Sequence, residues 1–369
     1  MSHDTSTSTE EVAIEIASRF VLAGSPRSVE HYGDGLINRT FLVVVEAVGY
    51  ILQRINRTVF PEPERIMYNL SLLQGHLTRH AKPGLRVPAL IPARDGQLFV
   101  RDERGEVWRM MELIPNAGNL KRIQNMDQAR EVGRILGRFH VLVSDLPPSQ
   151  LAVTLPGFHV TPAYLERFVG ILAAGISDRR GEVAEAIELV TERQAHAGVL
   201  EEARRKGQIP ERVIHGDPKL DNILFDRETG RAASLIDLDT VQPGLVHYDL
   251  GDCLRSCCSV RSGLTVVGER FDLDLCRAIL GAYAYETEGL LDGDEIELFF
   301  DAIRLIPFEL GLRFLMDHLE GDRYFRVTER GQNLRKARGQ LALVEDIEGK
   351  ESEIRKILAE SFRSSRRPL

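Results

Sequence analysis

The spacing of apolar and polar positions divides the chain into two parts of different period. Residues 10–22, EEVAIEIASRFVL, place apolar side chains at helical intervals. The following stretch, SVEHYGDGLINRTFLVVVEAVGYILQRI at 28–55, is rich in β-branched residues and broken by glycine-bearing turns, which predicts three strands. EPERIMYNLSLLQGHLTRH at 62–80 predicts a helix, and GQLFVRD with EVWRMMELI predicts a hairpin. After IPNAGN the helical period takes over, at 127–145, 161–175, 179–206, 247–258, 272–289 and 293–318, with one or more helices near 326–364. The expected fold class is α+β: a lead-in over 1–9, a β-rich lobe with one main helix over 10–114, a hinge near 111–118 and a mostly α-helical lobe over 115–369.

Composition narrows the partners. Hydrophobic residues make up 43% and charged residues 28%, as in a globular chain, and the formal net charge is −8. With no long Lys/Arg run, nucleic acid and anionic membrane surfaces are not expected partners, and nothing points to an obligate protein partner. No apolar run is long enough to span a bilayer, and MSHDTSTSTEE has neither the basic nor the apolar region of a signal peptide. Cys253, Cys257, Cys258 and Cys276 contain no C-x-x-C pair and fall in helical segments, so reduced, buried thiols and a cytoplasmic location are expected.

Two polar stretches carry the chemistry. In VIHGDPKLDNILFD at 213–226, Asp217, Lys219 and Asn222 are close enough for one tight loop to present all three to a cleft. Asp217 can accept a proton from a hydroxyl, Asn222 can bind a metal through its carbonyl, and Lys219 can neutralise a transferring phosphoryl group. The plain alternative is a turn built from Asp, Gly and Pro. In SLIDLDTVQPG at 234–244, two carboxylates leave an apolar strand, and strand alternation predicts that Asp237 and Asp239 point to the same side. Mg2+ shared with phosphates would offset their desolvation, with Asp237 as its ligand and Asp239 a second ligand or a support of the turn.

H-G-D-x-K-x-x-N followed by I-D-x-D resembles the aminoglycoside phosphotransferase and choline kinase superfamily, which has the protein-kinase-like fold. YGDGLINRTFLV (32–43), YILQRIN (50–56), FPEPERIMYN (60–69), IDLDTVQPGLVHYDLGDCLR (236–255) and GLRFLMDHLEGDRYF (311–325) are further similar to the bacterial N-acetylhexosamine 1-kinases, over about residues 11–350. That family usually shows H-N-D-T-K where this chain has His215-Gly216-Asp217-Pro218-Lys219.

The resemblance implies ATP and Mg2+ as cofactors and transfer to the anomeric hydroxyl of N-acetylglucosamine or N-acetylgalactosamine. It implies a phosphate-binding turn with Gly33, Asp34 and Gly35, to which Asn38 and Thr40 add donors. Met111, Glu112 and Leu113 would face adenine through their backbone. Arg313 and Tyr324 would contact the sugar. The kinase pattern calls for a Lys on the strand where Gln53 stands, so Gln53 is expected to donate a neutral hydrogen bond to the phosphates. The rival readings are an aminoglycoside, choline-like or amino-alcohol acceptor, and a non-catalytic pseudokinase, for which Gln53 is the best argument.

Overall fold

A computed structural model describes residues 9–33, 37–79, 85–175, 180–261 and 269–364. Helix α1 (Thr9–Ser18) leads into strands β1 (Ser28–His31), β2 (Arg39–Val45) and β3 (Val48–Arg54). Helix α2 (Glu64–Arg79) follows, then β4 (Leu90–Ile91), β5 (Val100–Arg101) and β6 (Val107–Glu112). All pairings in this sheet are antiparallel, in the order β1-β2-β3-β6-β4, with β5 on β6.

The period-two pattern gives the sheet two unlike faces. Phe41, Val43, Leu52, Trp108 and Met110 face α1 and bury with its Ala13, Ile16 and Ala17. On the opposite face the register aligns Thr40 with Gln53 and Gln53 with Arg109. Leu42, Ile51 and Met111 share that second face and are half-buried, so it has an apolar end and a polar end.

The C-terminal region comprises β7 (Ala117–Asn119), α3 (Met126–Leu142), α4 (Thr161–Ala174), α5 (Ala184–Arg193), α6 (Val199–Arg205), β8 (Arg212–Ile214), β9 (Ile223–Asp226), β10 (Ala232–Leu235) and β11 (Gln242–Gly244). It continues with α7 (Val246–Cys258), β12 (Ser259–Arg261), β13 (Glu269–Phe271), α8 (Leu273–Glu286), α9 (Gly293–Glu297), α10 (Phe299–Leu319), α11 (Gln332–Gly349) and α12 (Glu351–Ser364). The expected helix at 179–206 is two, α5 and α6, separated by a 3-10 turn at Gln194–His196. The expected helix at 293–318 is also two. Asp292 and Glu295 close a capping box on α9, and α10 then runs buried on nearly all sides, as an apolar-all-round helix must.

The core does not divide where the sequence changes character. Ile66, Met67, Leu70 and Leu73 of α2 bury in the same cluster as Ile135, Phe139, Leu250 and Ile279 from α3, α7 and α8. Asn69, also buried, ties α2 to the C-terminal region by donating to Ala152 O at 2.7 Å and Val241 O at 2.8 Å. All four cysteines are buried and free. No helix among the described residues is long and apolar enough to cross a membrane.

Candidate active site

The loop between β8 and β9 gathers the expected triad. Lys219 Nζ forms an ion pair with Asp217 Oδ2, and Asn222 Nδ2 donates to the same oxygen at 3.0 Å and to Asp217 O at 2.8 Å. Asp217 Oδ1 accepts no hydrogen bond from any described residue. Burial works against the Lys219 charge, yet the Asp217 and Asp237 carboxylates raise its pKa well above the ordinary value, so it stays charged.

Asp249 of α7 holds this loop from below. It accepts from His215 N–H and Gly216 N–H, both at 2.7 Å, and lies 2.9 Å from His140 Nε2. Burial would raise its pKa, but His140 and the loop amides outweigh that and hold it low. At the sequence level Asp249 reads first as a helix cap; its role on the loop needs the tertiary fold. Gly216 has φ +86°, and a Cβ there would lie 2.6 Å from Thr240 O, so a side chain here would force the loop away from the next turn as they pack in this chain.

That next turn corrects one expectation. Strand β10 ends at Leu235, Asp237 adopts φ +60°, and Asp239 lies in a 3-10 turn, so alternation does not extend to them and the two acids part. Asp237 is open to solvent, beside Lys219. Although the carboxylate keeps access to solvent, the protein packed around it, and then Asp239, push its pKa upward against the pull of Lys219. Asp239 is buried and turns to the sheet, where it pairs with Arg109 and accepts from Asn38 Nδ2 at 2.7 Å. His215 cross-links loop and turn: Asp217 N–H donates to Nδ1 at 3.3 Å, and Nε2 donates to Ile236 O at 3.1 Å. Burial lowers its pKa, in keeping with a neutral ring.

Asn222 and Asp237 fit a divalent cation. The Asn222 amide nitrogen is used on Asp217, while its carbonyl oxygen and the Asp237 carboxylate accept nothing from described residues. No cluster of three or more His, Cys, Asp or Glu suited to a metal exists among the described residues. Two protein oxygens, completed by phosphates and water, are the donor set Mg2+ prefers to a protein-only cage.

The sheet face departs further from expectation. Gln53 does not reach out as a free donor. Its Oε1 accepts from Arg109 Nε at 3.0 Å and Nη2 at 2.6 Å, and its Nε2 donates to Thr40 Oγ1 at 3.0 Å. Asn38 is likewise engaged at both ends, since its Oδ1 accepts from Asn56 N–H at 3.0 Å. Gly33 has φ +75°, as a tight turn requires, while Asp34 and Gly35 lie outside the described residues. Met111 packs on the cleft face, but Glu112 N–H donates to Ala89 O at 2.8 Å and Leu113 N–H reaches Gly49 O at 3.4 Å. These two amides serve the sheet and not a base.

At the far side, Arg313 of α10 sits among rings, its guanidinium 5.2 Å from Phe158, 5.3 Å from Tyr164 and 5.7 Å from Phe325. It pairs with Glu309 at 3.8 Å and is near enough to Tyr324 for the two to interact electrostatically, so the structure brings these two residues to one place. Asp317 accepts from the amides of Arg323, Tyr324 and Phe325 and fixes the loop bearing Tyr324. His159 connects this site to the catalytic loop. Its Nδ1 lies 3.1 Å from Glu309 Oε1 and its Nε2 2.8 Å from Gly216 O. Both partners are acceptors, so the ring carries two protons; burial opposes this, but Glu309 and the carbonyl raise its pKa.

With this geometry in view, comparison with known proteins is informative. The chain matches the phosphotransferase enzyme family over residues 28–288. It belongs to that family. Curated relatives of this phosphotransferase include homoserine kinases of Cupriavidus metallidurans, 26% identical over 70% of this chain and 73% of the relative, and of Cupriavidus taiwanensis, 27% identical over 70% and 72%. Among solved structures it resembles a microcompartment-associated aminopropanol kinase, with TM-score 0.65, 18% identity, and 93% and 98% of the two chains covered. It also resembles an amicoumacin kinase in complex with AMP-PNP, Ca2+ and Ami, with TM-score 0.63, 15% identity, and coverage of 93% and 94%. These likenesses establish the protein-kinase-like α+β fold.

Arg109, His159 and Glu309 escaped the sequence reading, and so did the hold of Asp249 on the Asp217 loop. The available signal was weak: an Arg inside an apolar strand, and acids inside apolar helices, each of which must find a partner once buried.

Proposed function

We propose that this phosphotransferase moves the γ-phosphoryl group of ATP to the anomeric hydroxyl of an N-acetylhexosamine. The observation that carries the reading is the Asp217 carboxylate, fixed through Oδ2 by Lys219 and Asn222 and open at Oδ1. Oδ1 takes the proton of the acceptor hydroxyl as its oxygen bonds to the γ-phosphorus. The bond from that phosphorus to the β-bridging oxygen breaks, and ADP leaves with the electron pair. Lys219, between Asp217 and Asp237, offsets charge on the transferred group. Asn222 Oδ1 and the Asp237 carboxylate would hold Mg2+, which when bound neutralises charge on the phosphates. The amicoumacin kinase complexed with AMP-PNP and Ca2+ supports a nucleotide and a divalent ion in this fold. Leu42, Ile51 and Met111 supply an apolar wall for the base.

Arg313 supports a neutral or anionic acceptor over a polycation, because a fixed guanidinium repels amines and its fork suits hydroxyl, acetamido or carboxylate oxygens. The homoserine kinase relatives favour a second reading, in which Arg313 takes the carboxylate of a hydroxy amino acid. ATP consumption across N-acetylhexosamines, homoserine, amino alcohols and aminoglycosides, followed by phosphorus NMR of the product, tests both. Phosphate on C1 of an N-acetylhexosamine supports the first. Exclusive transfer to homoserine or to a cationic alcohol overturns it, and absence of transfer to every acceptor returns the chain to the pseudokinase reading.

A further inference from the structure

The position where the kinase pattern calls for a cation holds Gln53, and the cation stands one strand away. Arg109, on β6, is Gln53's cross-strand partner and is 1% exposed. Its guanidinium is gripped twice by Gln53 Oε1 and paired through Nη2 with Asp239, which is 2% exposed and lies two residues beyond Asp237. Asn38, immediately before β2, donates to the other Asp239 oxygen at 2.7 Å. Neither acid at the start of α2 or just before it shares in this: Glu62 pairs with Arg65 and Glu64 with Arg101.

We infer that the Arg109–Asp239 pair, oriented by Gln53 and Asn38, is a buried strut that sets the Asp237 turn against the nucleotide-facing sheet. It makes Arg109 and Asp239 positioning residues for the metal-bound nucleotide. The cation has moved from β3 to β6 and its target from phosphate to a second carboxylate. Three features carry this. Asp237 sits at φ +60°, a conformation unfavourable for a non-glycine residue, which the surrounding contacts must enforce. The strut joins the Asp237 turn to β3 and β6 and, through Asn38, to the start of β2 at once, so it fixes the spacing between Asp237 and the nucleotide-facing sheet. Arg109 Nη1 is buried with no hydrogen-bond partner, an arrangement that an ion pair kept for stability alone would not favour, since an apolar pair would serve better there.

The inference rests on the reading that Asp237 meets the nucleotide's metal, and its test separates the two. Mg·ADP binding is measured by calorimetry, beside thermal unfolding and steady-state kinetics, for the parent, Arg109→Met, Asp239→Asn and the double variant. Each single change is expected to weaken Mg·ADP binding on the order of tenfold, the double change no more than the worse single, as for two residues acting as a unit. The acceptor KM should stay within about twofold, and Arg109→Lys should recover little, because an ammonium cannot grip Gln53 and Asp239 together. Variants that bind Mg·ADP like the parent while merely unfolding sooner would overturn the strut, as would strictly additive losses. Should Arg109→Met fail to fold, Asp239→Asn and the half-buried Gln53→Ala decide by the same measurements. A parent that binds no Mg·ADP overturns the underlying reading instead.

Discussion

At the scale of single residues, the two open carboxylates of the cleft have separable duties. Asp217→Asn removes the proposed proton acceptor while keeping the hydrogen-bond geometry of the loop. It should lower kcat by about 10²–10⁴-fold and leave the KM for ATP nearly unchanged. Asp237→Asn should raise the KM for ATP as well and increase the Mg2+ needed for half-maximal rate. Near-normal turnover by Asp217→Asn would remove it from the chemistry. Arg313, proposed to meet the acceptor, lies among Phe158, Tyr164 and Phe325. Arg313→Ala should raise the acceptor KM by on the order of tenfold or more, since a charge-assisted contact is worth roughly 1.5–3 kcal/mol, and spare the KM for ATP. Equal shifts in both constants would place Arg313 outside the acceptor site.

At the scale of elements, two glycines allow backbone to approach where a side chain cannot enter. Helices α3 and α8 cross so closely at Gly133 that a Cβ would lie 2.0 Å from Ile279 O. Gly133→Ala would ordinarily strengthen a helix by about 1 kcal/mol. Here the overlap prevails, and the melting temperature should fall, by less per kcal/mol than the about 2–4 °C typical of chains of 150–250 residues. An unchanged or higher melting point would show that the helices part without cost. Gly216 joins the catalytic loop to the metal turn, with φ +86° and Thr240 against it. Gly216→Ala should disturb both turns, so kcat falls by at least about tenfold, the effect expected when catalytic groups are misplaced by an ångström. Retention of full kcat would show that the loop tolerates displacement.

At the scale of the whole molecule, buried histidines tie stability to pH with opposite signs. His247 Nε2 donates to Glu295 O at 2.8 Å, and burial pushes its pKa down to about 4. The unfolded chain takes up this proton near pH 6.5 and the folded one does not, so stability falls as pH drops from about 6.5 toward 4. The loss from this residue reaches about 2 kcal/mol at pH 5. His159, raised by Glu309, contributes stability below about 6.5 that is lost as pH climbs through its folded value. Urea unfolding of the parent and His247→Gln at pH 7 and pH 5 checks the first sign. The variant should lose less stability on acidification, and parallel losses would refute the assignment.

The sequence by itself determined the local elements and offered the candidate reacting groups. Period-two runs with β-branched residues gave β2, β3 and β6, since each buries one face; helical periodicity gave α2, α3 and α8. Asp217, Lys219 and Asn222 were legible because a single short loop presents them, and loop geometry is local. Arg313 and Tyr324 entered through resemblance and were brought together by Asp317, which fixes the intervening loop. What only the tertiary structure decided are the pairings between distant segments. Gln53 read as a phosphate donor because sequence shows one strand at a time; its engagement with Arg109 depends on the β3–β6 register. Asp237 and Asp239 read as alike because alternation assumes a continuing strand, whereas the chain turns at Asp237 and sends Asp239 to Arg109. Asp249 and His159 act on the catalytic loop from 33 and 57 residues away. A buried charge announces that it needs a partner; the packing of separate elements decides which partner it meets.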